Sequence, residues 1–346
     1  MAPSAARVGI ALSLAPGIGR VRFRELVDEC EGYDEAFARA VPAGRRDTLL
    51  GEADVLVGQA HSCGSEVVVY GGASYPPRLR ELPDPPAVLF VAGHGEWLDG
   101  SGPVVGIVGT RAATAYGERV TREIAGQLAR AGALVLSGMA RGIDGAAHRG
   151  ALGAGGRSGA VLGTGIDIAY PAAHRALHAE LGERGVIVTE LPPGERATGG
   201  SFPERNRIIA ALSDLVIVIE AGQKSGALIT AARALELGRV VAAVPGPIDS
   251  PQSAGSNELL RDGAQLIASA ADALALVGLT APPRAPAVEV GGAERVVWDA
   301  LSRGALDLDT LASHTALPAR EVMAAVTRLE LSGSVECALT GEVRRR

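Results

Sequence analysis

The chain has 346 residues, more than a single domain usually holds, so several domains are expected. Apolar residues make up 47% of the chain and charged residues 21%, a balance typical of a globular protein with a large core. The net charge of −6 excludes a generally basic surface, so any nucleic-acid site must be a local concentration of arginine.

The cysteines and the apolar segments indicate the cellular compartment of the protein. Cys30, Cys63 and Cys337 are far apart and form no CxxC pair, which argues against a disulfide scaffold or a zinc module and fits a reducing cytoplasm. The apolar stretch 8–15 is short and follows a single arginine, so a signal peptide is not expected. No apolar run approaches about 18 residues, so a cytoplasmic protein without a membrane span is predicted.

Residues 1–64 are predicted to form a small helical domain. Apolar positions recur at helical spacing from residue 6 to about residue 62, interrupted by Pro-Gly-Ile-Gly at 16–19. This turn resembles a helix-hairpin-helix, as in SAM-like domains, and such a turn can offer backbone N–H groups to a phosphate. An ordinary turn between two helices fits the same four residues, so both interpretations stay open.

Residues 65–280 are predicted to form an α/β domain, because short β-branched runs alternate with longer helical segments. This alternation is typical of an extended Rossmann-like, doubly wound and mainly parallel sheet with helices on both faces. Right-handed crossovers then bring the carboxyl ends of the strands, and the ligand crevice, to one edge. Strands are predicted at 65–70, 87–91, 104–108, 133–137, 159–162, 186–189, 215–220 and 240–244, and helices start near Tyr116, Asp144, Ala172, Pro203 and Ser225.

The carboxyl-terminal part is predicted to be a linker followed by a winged helix. Residues 281–292 are rich in proline and glycine, as linkers are, and 293–346 read as three helices and a β-wing. The last segment has seven arginines and eight acidic residues, and a charge near −1 is poorly suited to duplex DNA. Protein contact and DNA binding therefore both remain open for this domain.

The loops that follow the predicted strands are glycine-rich and contain basic residues. Glycines allow close backbone approach, and helix N-termini present unpaired N–H groups to an anion. A crevice suited to several phosphates is therefore predicted. The basic residues expected to converge there are Arg111, Arg141, Arg205, Arg207 and Lys224.

Phe202 opens the most informative stretch of the chain, Phe-Pro-Glu-Arg-Asn-Arg. An aromatic ring beside paired guanidinium groups offers a base-stacking face together with phosphate partners. The whole chain has only four Phe and two Trp, so an aromatic ring in a basic loop is conspicuous. The alternative is that Phe202 is a core residue and its arginines are merely solvated.

Several enzyme classes can be weighed from motifs. The first parallel strand is not followed by Gly-x-Gly-x-x-Gly, and Lys224 lacks the glycines of a P-loop, which disfavours a dehydrogenase and an ATPase. Asp144 and His148 have the spacing of an acid/base pair, or else Asp144 caps a helix and His148 packs beneath the loop. The sequence shows no recognisable triad of a nucleophile, a general base and a residue that orients the base. No catalytic residue is therefore predicted.

Taken in order, the motifs resemble the DprA family of DNA-processing proteins, also called Smf. They cover roughly residues 65–275, and the helical and winged-helix segments fit the family's domain order. The matching motifs are Gly109-Thr110-Arg111, Ser137-Gly-Met-Ala-Arg-Gly-Ile-Asp144, Leu162-Gly-Thr-Gly-Ile-Asp167, Tyr170-Pro171, Glu190-Leu-Pro-Pro-Gly194, Phe202-Pro-Glu-Arg-Asn-Arg-Ile-Ile209, Ser225-Gly-Ala-Leu-Ile-Thr230, Val244-Pro-Gly246 and Gly255-Ser-Asn257.

The resemblance implies a protein that binds and protects single-stranded DNA, dimerises through its Rossmann-like domain and helps load the RecA recombinase during natural transformation and recombination. It implies no catalysis, and neither a metal nor a cofactor is expected. Arg111 would contact phosphate and Phe202 would stack on a base, with Arg205, Asn206 and Arg207 shaping the pocket. The residues expected at the DNA are Gly109, Thr110, Arg111, Gly138, Arg141, Gly142, Phe202, Arg205, Asn206, Arg207, Lys224, Ser225 and Gly226.

The alternative is a nucleotide-processing enzyme on a related Rossmann-like fold. Proteins with similar sheet domains cleave the glycosidic bond of nucleoside monophosphates, and use a Pro-Gly-Gly-x-Gly-Thr loop followed by a glutamate. The equivalent segment here, 222–227, reads Gly-Gln-Lys-Ser-Gly-Ala and lacks that acid. A DNA-binding protein without enzymatic activity is therefore the prediction.

Overall fold

The computed structural model describes residues 4–280, 292–304, 306–332, 334–338 and 341–345. Two compact units are present, Met1–Ala281 and Pro282–Arg346. The boundary predicted at residue 64 falls inside the first unit. The predicted linker lies outside the described residues, apart from Gly292, which begins a helix.

Four helices open the first unit and confirm the helical prediction for this region. Their apolar side chains, Phe23 and Leu49 among them, belong to the same buried cluster as Phe90 of the sheet. The helical region therefore shares a core with the sheet. The helices are α1 (Ser4–Ser13), α2 (Arg20–Glu29), α3 (Tyr33–Ala40) and α4 (Ala43–Ser62).

A nine-stranded sheet forms the centre of the first unit, in the order β1-β2-β6-β5-β4-β3-β7-β8-β9. The first two strands are antiparallel to their neighbours and the remaining seven are parallel. The eight predicted strands are confirmed to within two residues at each end, and the two-residue β9 was not predicted. The strands are β1 (Ser65–Val69), β2 (Val88–Gly93), β3 (Val104–Val108), β4 (Leu134–Ser137), β5 (Ser158–Val161), β6 (Val186–Thr189), β7 (Leu215–Val218), β8 (Val240–Ala243) and β9 (Gln265–Leu266).

Helices cover both faces of this sheet, which confirms the doubly wound prediction. Alternate side chains of β3 point to opposite faces, so Ile107 packs in one buried cluster and Val108 in the other. The sheet-domain helices are α5 (Ala115–Arg130), α6 (Ile143–Gly153), α7 (Arg175–Arg184), α8 (Ser201–Leu212), α9 (Gly226–Glu236), α10 (Ala254–Arg261) and α11 (Ala270–Leu276), with short 3-10 helices at Pro77–Glu81, Gly95–Leu98 and Ala172–His174.

The connectivity places a crevice between β3 and β7. From β3 the chain builds outward through β4, β5 and β6, then returns to the other side of β3 to form β7, β8 and β9. The strand order therefore reverses between β3 and β7. Loops that leave the carboxyl ends of two such strands diverge and open a crevice, which is where ligands bind in folds of this kind.

The second unit has the predicted winged-helix pattern, with a three-stranded sheet in the order β10-β12-β11. Val297, Leu311, Leu329 and Val343 are buried in its own small core. Across the described parts of the chain, every helix is too short or too polar to cross a membrane. The elements of this unit are α12 (Gly292–Ala300), a 3-10 helix at Leu301–Arg303, β10 (Leu306–Asp307), α13 (Leu308–Thr315), α14 (Ala319–Leu331), β11 (Val335–Cys337) and β12 (Glu342–Arg345).

Candidate functional site

A cavity of about 800 Å³ lies at the carboxyl ends of β3 and β7. The loop after β3 lines one side of it, the loop after β7 lines another, and the first turns of α8 close it. The structure thus brings most of the predicted residues together. Those that line the cavity are Gly109, Thr110, Arg111, Phe202, Arg205, Asn206, Lys224, Ser225 and Gly226.

The loop after β3 is held in place by Glu220, a buried residue just beyond β7. The N–H of Thr110 donates to the Glu220 carbonyl at 2.7 Å. The Glu220 carboxylate accepts from the Thr114 N–H at 2.9 Å and from the Thr114 hydroxyl at 2.5 Å. With both ends of the loop fixed, Arg111 projects from a rigid turn and its side chain remains exposed at the cavity.

Gly138 and Gly142 serve the packing of this edge. Gly142 has a φ of 71°, and a Cβ there would collide with the Thr110 carbonyl. A Cβ on Gly138 would collide with the guanidinium of Arg205. Neither glycine lines the cavity, so their place is beneath the predicted DNA surface rather than on it.

The ring of Phe202 is half-buried at the cavity wall. It is therefore neither a fully exposed stacking ring nor a fully buried core residue. It packs against Tyr170, with ring centroids 5.1 Å apart and planes tilted by 36°. It also lies over Gly163, where a Cβ would come within 3.0 Å of the ring. The guanidinium carbon of Arg111 is 5.0 Å from the ring centroid. An aromatic face and an exposed cation are therefore neighbours at the mouth of the crevice.

Arg205 is buried beneath the cavity, with only 6% of its surface exposed. Its Nη1 donates to the carbonyls of Gly138, at 2.7 Å, and Val161, which links the loop after β4 to the end of β5. Burial lowers the pKa of Arg205 to about 10, an effect that the nearby Asp144 carboxyl opposes. Arg205 therefore stays a cation at neutral pH, but it supports the site from within.

Arg207 does not converge on the crevice, and that prediction is wrong. Its Nη2 donates to both carboxylate oxygens of Glu190, at 2.7 and 2.6 Å, and its Nε lies 3.3 Å from the Asp84 carboxylate. Two residues apart on a helix are rotated by about 200°, so Arg205 and Arg207 point to opposite sides of α8. Burial raises the pKa of Glu190, and the charges of Arg207 and Arg20 oppose that rise.

The loop after β7 presents the amino end of α9 to the cavity. Ser225 caps this helix by accepting from the Ala227 N–H at 3.3 Å, and Asn206 donates to the Gly226 carbonyl at 3.2 Å. Lys224 is exposed beside them. The N–H groups of this turn and the lysine ammonium make the corner suitable for an anion. Arg141 is exposed but lies outside the cavity lining.

Asp144 and His148 are separate structural residues. Asp144 accepts from the Ala140 N–H at 3.2 Å, and the N-cap position of α6 is Gly142, so the predicted capping role of Asp144 is wrong in detail. His148 is fully buried with its Nδ1 2.9 Å from the Ser158 hydroxyl, and burial lowers its pKa to about 3. A neutral imidazole without a path to the cavity is no acid/base partner.

Tyr170, like Glu220, supports the site although its sequence context predicted no role for it. It belongs to the Tyr170-Pro171 motif, yet its contact with Phe202 joins residues 32 positions apart. The signal available in the sequence was a tyrosine followed directly by a proline. Its ring packs against Phe202 from outside the cavity lining and so helps to hold the Phe202 ring in place.

The fold and the crevice define a Rossmann-like protein with cationic and aromatic side chains at its switch point, followed by a winged helix. Its sequence matches the family model for DNA recombination-mediator protein A over residues 66–278 and that for the DprA winged helix domain over 281–338. The chain belongs to the DprA family of DNA-processing proteins.

Individual relatives agree with this assignment. The chain is 44% identical over 268 residues to the putative DNA processing protein DprA of Mycobacterium tuberculosis, covering 75% of this chain and 69% of that one. The DprA structure from Streptococcus pneumoniae superposes with a TM-score of 0.65 at 33% identity, over 78% of this chain and 95% of that chain. DNA processing protein A of Helicobacter pylori, whose structure concerns its single-stranded DNA binding mode, gives 0.54 at 32% identity, over 60% and 94%.

Proposed function

We propose that this protein binds single-stranded DNA in the crevice between β3 and β7. The observation that carries the proposal is the half-exposed ring of Phe202 with the Arg111 guanidinium 5.0 Å from its centroid. A base can stack on such a ring while the arginine reaches the adjoining phosphate. The proposed contact residues are Gly109, Thr110, Arg111, Phe202, Asn206, Lys224, Ser225 and Gly226, with Arg205 as a supporting residue.

Single-stranded DNA suits this crevice better than duplex DNA does. An aromatic ring in a cavity wall takes up an unstacked base, and bases in a duplex are already stacked on each other. The winged helix, with its charge near −1, adds no general attraction for a duplex. Binding should therefore be local, salt-dependent and selective for single strands.

The composition of the cavity supports binding rather than nucleotide cleavage. Among its lining residues in the described chain, Asp144 is the sole carboxylic acid, and it is engaged with the Ala140 N–H. Cleavage of a glycosidic bond calls for carboxylates that are free to act on the substrate. We therefore propose a DNA-binding protein without enzymatic activity.

Arg111→Ala is expected to weaken single-stranded DNA binding by about 1–3 kcal/mol, the scale of a lost charge-assisted hydrogen bond. It should also reduce the slope of log affinity against log salt by roughly 0.7, because one phosphate contact is removed. Fluorescence anisotropy with labelled oligonucleotides at several salt concentrations measures both quantities.

Arg130→Ala is the matched control for this experiment. Arg130 is an exposed arginine in the last turn of α5, at the end of that helix away from the crevice. It changes the net charge equally, so it should leave the affinity and the salt slope near wild-type values. Equal behaviour of the two variants would remove Arg111 from the binding site.

We further propose that the protein protects its bound strand and helps load RecA in the cytoplasm, during DNA uptake in transformation and during recombination. Its membership of a family described as recombination mediators supports this role. We also propose a homodimer formed through the sheet domain. Strand β9 lies at the sheet edge in the described part of the chain, with the exposed side chain of Leu266, and such an edge can pair with a second copy.

RecA loading predicts that the protein shortens the lag before RecA filaments form on single-stranded DNA. The expected result is faster nucleation with the wild-type chain and a smaller effect with Arg111→Ala, because loading requires a held strand. The onset of RecA ATP hydrolysis on an oligonucleotide measures nucleation. An unchanged lag, at concentrations where the chain binds the DNA, would limit its role to binding and protection.

A further inference from the structure

Besides Phe202 and Tyr170, a further aromatic residue stands exposed at the same edge of the sheet. Tyr116 lies in the first turn of α5, and 39% of its surface is exposed. Tyr170 is exposed as well, whereas Tyr70 and Tyr75 are buried. The Tyr116 hydroxyl donates to the Pro245 carbonyl, in the loop after β8, at 3.2 Å, and this hydrogen bond anchors the far end of the ring.

Arg119 accompanies this ring as Arg111 accompanies Phe202. The guanidinium carbon of Arg119 lies 5.6 Å from the centroid of Tyr116. Arg119 is exposed, and it forms no salt bridge with any residue in the described portion of the chain. An aromatic–arginine pair therefore occurs twice at this edge of the sheet.

The backbone that carries Tyr116 is rigid. The Thr114 hydroxyl accepts from the Gly117 N–H at 3.0 Å and caps α5, and the same hydroxyl donates to Glu220. Gly117 is packed directly against the Glu220 carboxylate, where a Cβ would not fit. A ring held this firmly loses little conformational freedom when a base stacks on it.

The two aromatic–arginine pairs stand on opposite faces of the sheet. Ile124 of α5 packs in the cluster with Ile107, and Ile209 of α8 packs in the cluster with Val108. Phe202 therefore lies at the amino end of a helix on one face, and Tyr116 at the amino end of a helix on the other. The loop that bears Arg111 runs between them, so a strand crossing the sheet edge would meet Phe202, Arg111 and Tyr116 in turn.

We infer that Tyr116 and Arg119 form a second nucleotide-binding subsite, which takes a base by stacking and its phosphate by the guanidinium. This inference rests on the proposed function of the crevice. The subsite serves the part of a strand that continues beyond the crevice across the edge of the sheet. Its contribution therefore depends on the length of the bound strand.

The test compares Tyr116→Ala and Tyr116→Phe on oligothymidylates of about 4 and about 16 nucleotides, the range of common single-strand site sizes. Tyr116→Ala should weaken binding of the long oligonucleotide by about 5- to 150-fold, the loss of one stacked base, and have much less effect on the short one. Tyr116→Phe keeps the ring and loses only the hydrogen bond to Pro245, so it should retain the long-strand affinity. Melting curves of both variants establish that they are folded.

The other outcomes distinguish the subsite from the crevice. A wild-type chain that binds neither oligonucleotide would overturn the proposed function, and the subsite with it. Wild-type binding of both lengths, with Tyr116→Ala equal to wild type on the long strand, would overturn the subsite alone. If Tyr116→Phe lost as much affinity as Tyr116→Ala, the hydroxyl anchor rather than stacking would explain the loss, and the subsite would again be rejected.

Discussion

Arg205→Ala is expected to destabilise the protein by about 3–5 kcal/mol, the scale of removing one partner from a buried charged cluster. The guanidinium is buried, satisfies the carbonyls of Gly138 and Val161, and offsets the charge of Asp144. Without it, two buried carbonyls lose their hydrogen-bond donor, and the buried Asp144 carboxyl loses a neighbouring positive charge. Urea unfolding followed by circular dichroism measures the change.

The control for Arg205 is Arg111→Ala, which removes an exposed arginine from the same crevice and should change the free energy of unfolding little. Comparing Arg205→Ala with Arg111→Ala distinguishes a residue that stabilises the site from one that contacts DNA. An Arg205→Ala variant that unfolds like the wild type but no longer binds single-stranded DNA would contradict the supporting role. Arg205 would then have to be counted among the DNA contacts.

Phe202→Ala is expected to lose about 1–3 kcal/mol of single-stranded DNA binding, the contribution of one base stacked on an aromatic ring. The ring is only half-buried, against Tyr170 and over Gly163, so the cost in folding should fall well below the roughly 3–5 kcal/mol of a core phenylalanine. DNA titrations and thermal melts of the same preparation measure the two effects.

Phe202→Trp sharpens the comparison, because a larger ring keeps a stacking face at an exposed site but overpacks a buried one. Retained affinity with a near-normal melting temperature is the expected result. A large fall in melting temperature for Phe202→Ala, with normal affinity in the folded fraction, would refute the stacking role.

The elements of the sheet domain could be predicted from sequence because their signals are local. Runs of β-branched residues and the glycines after each strand specify parallel strands that alternate with helices. Parallel strands put all their carboxyl ends at one edge of the sheet. The sequence therefore predicts that the loops with Arg111 and Lys224 lie near each other. The two-residue β9 was missed because a strand that short has no periodicity of its own.

The amino-acid sequence by itself thus determined the fold class, the winged helix and the edge of the sheet at which the crevice opens. Tertiary structure alone decided which side chains face that crevice. Helix geometry separates Arg205 from Arg207, but only the distant Glu190 and Asp84 explain why Arg207 is buried in ion pairs. Tyr116 likewise became a candidate subsite only through Pro245, 129 residues further along the chain. The physical reason is that periodicity acts between near neighbours in sequence, whereas burial and charge pairing depend on residues that folding brings together.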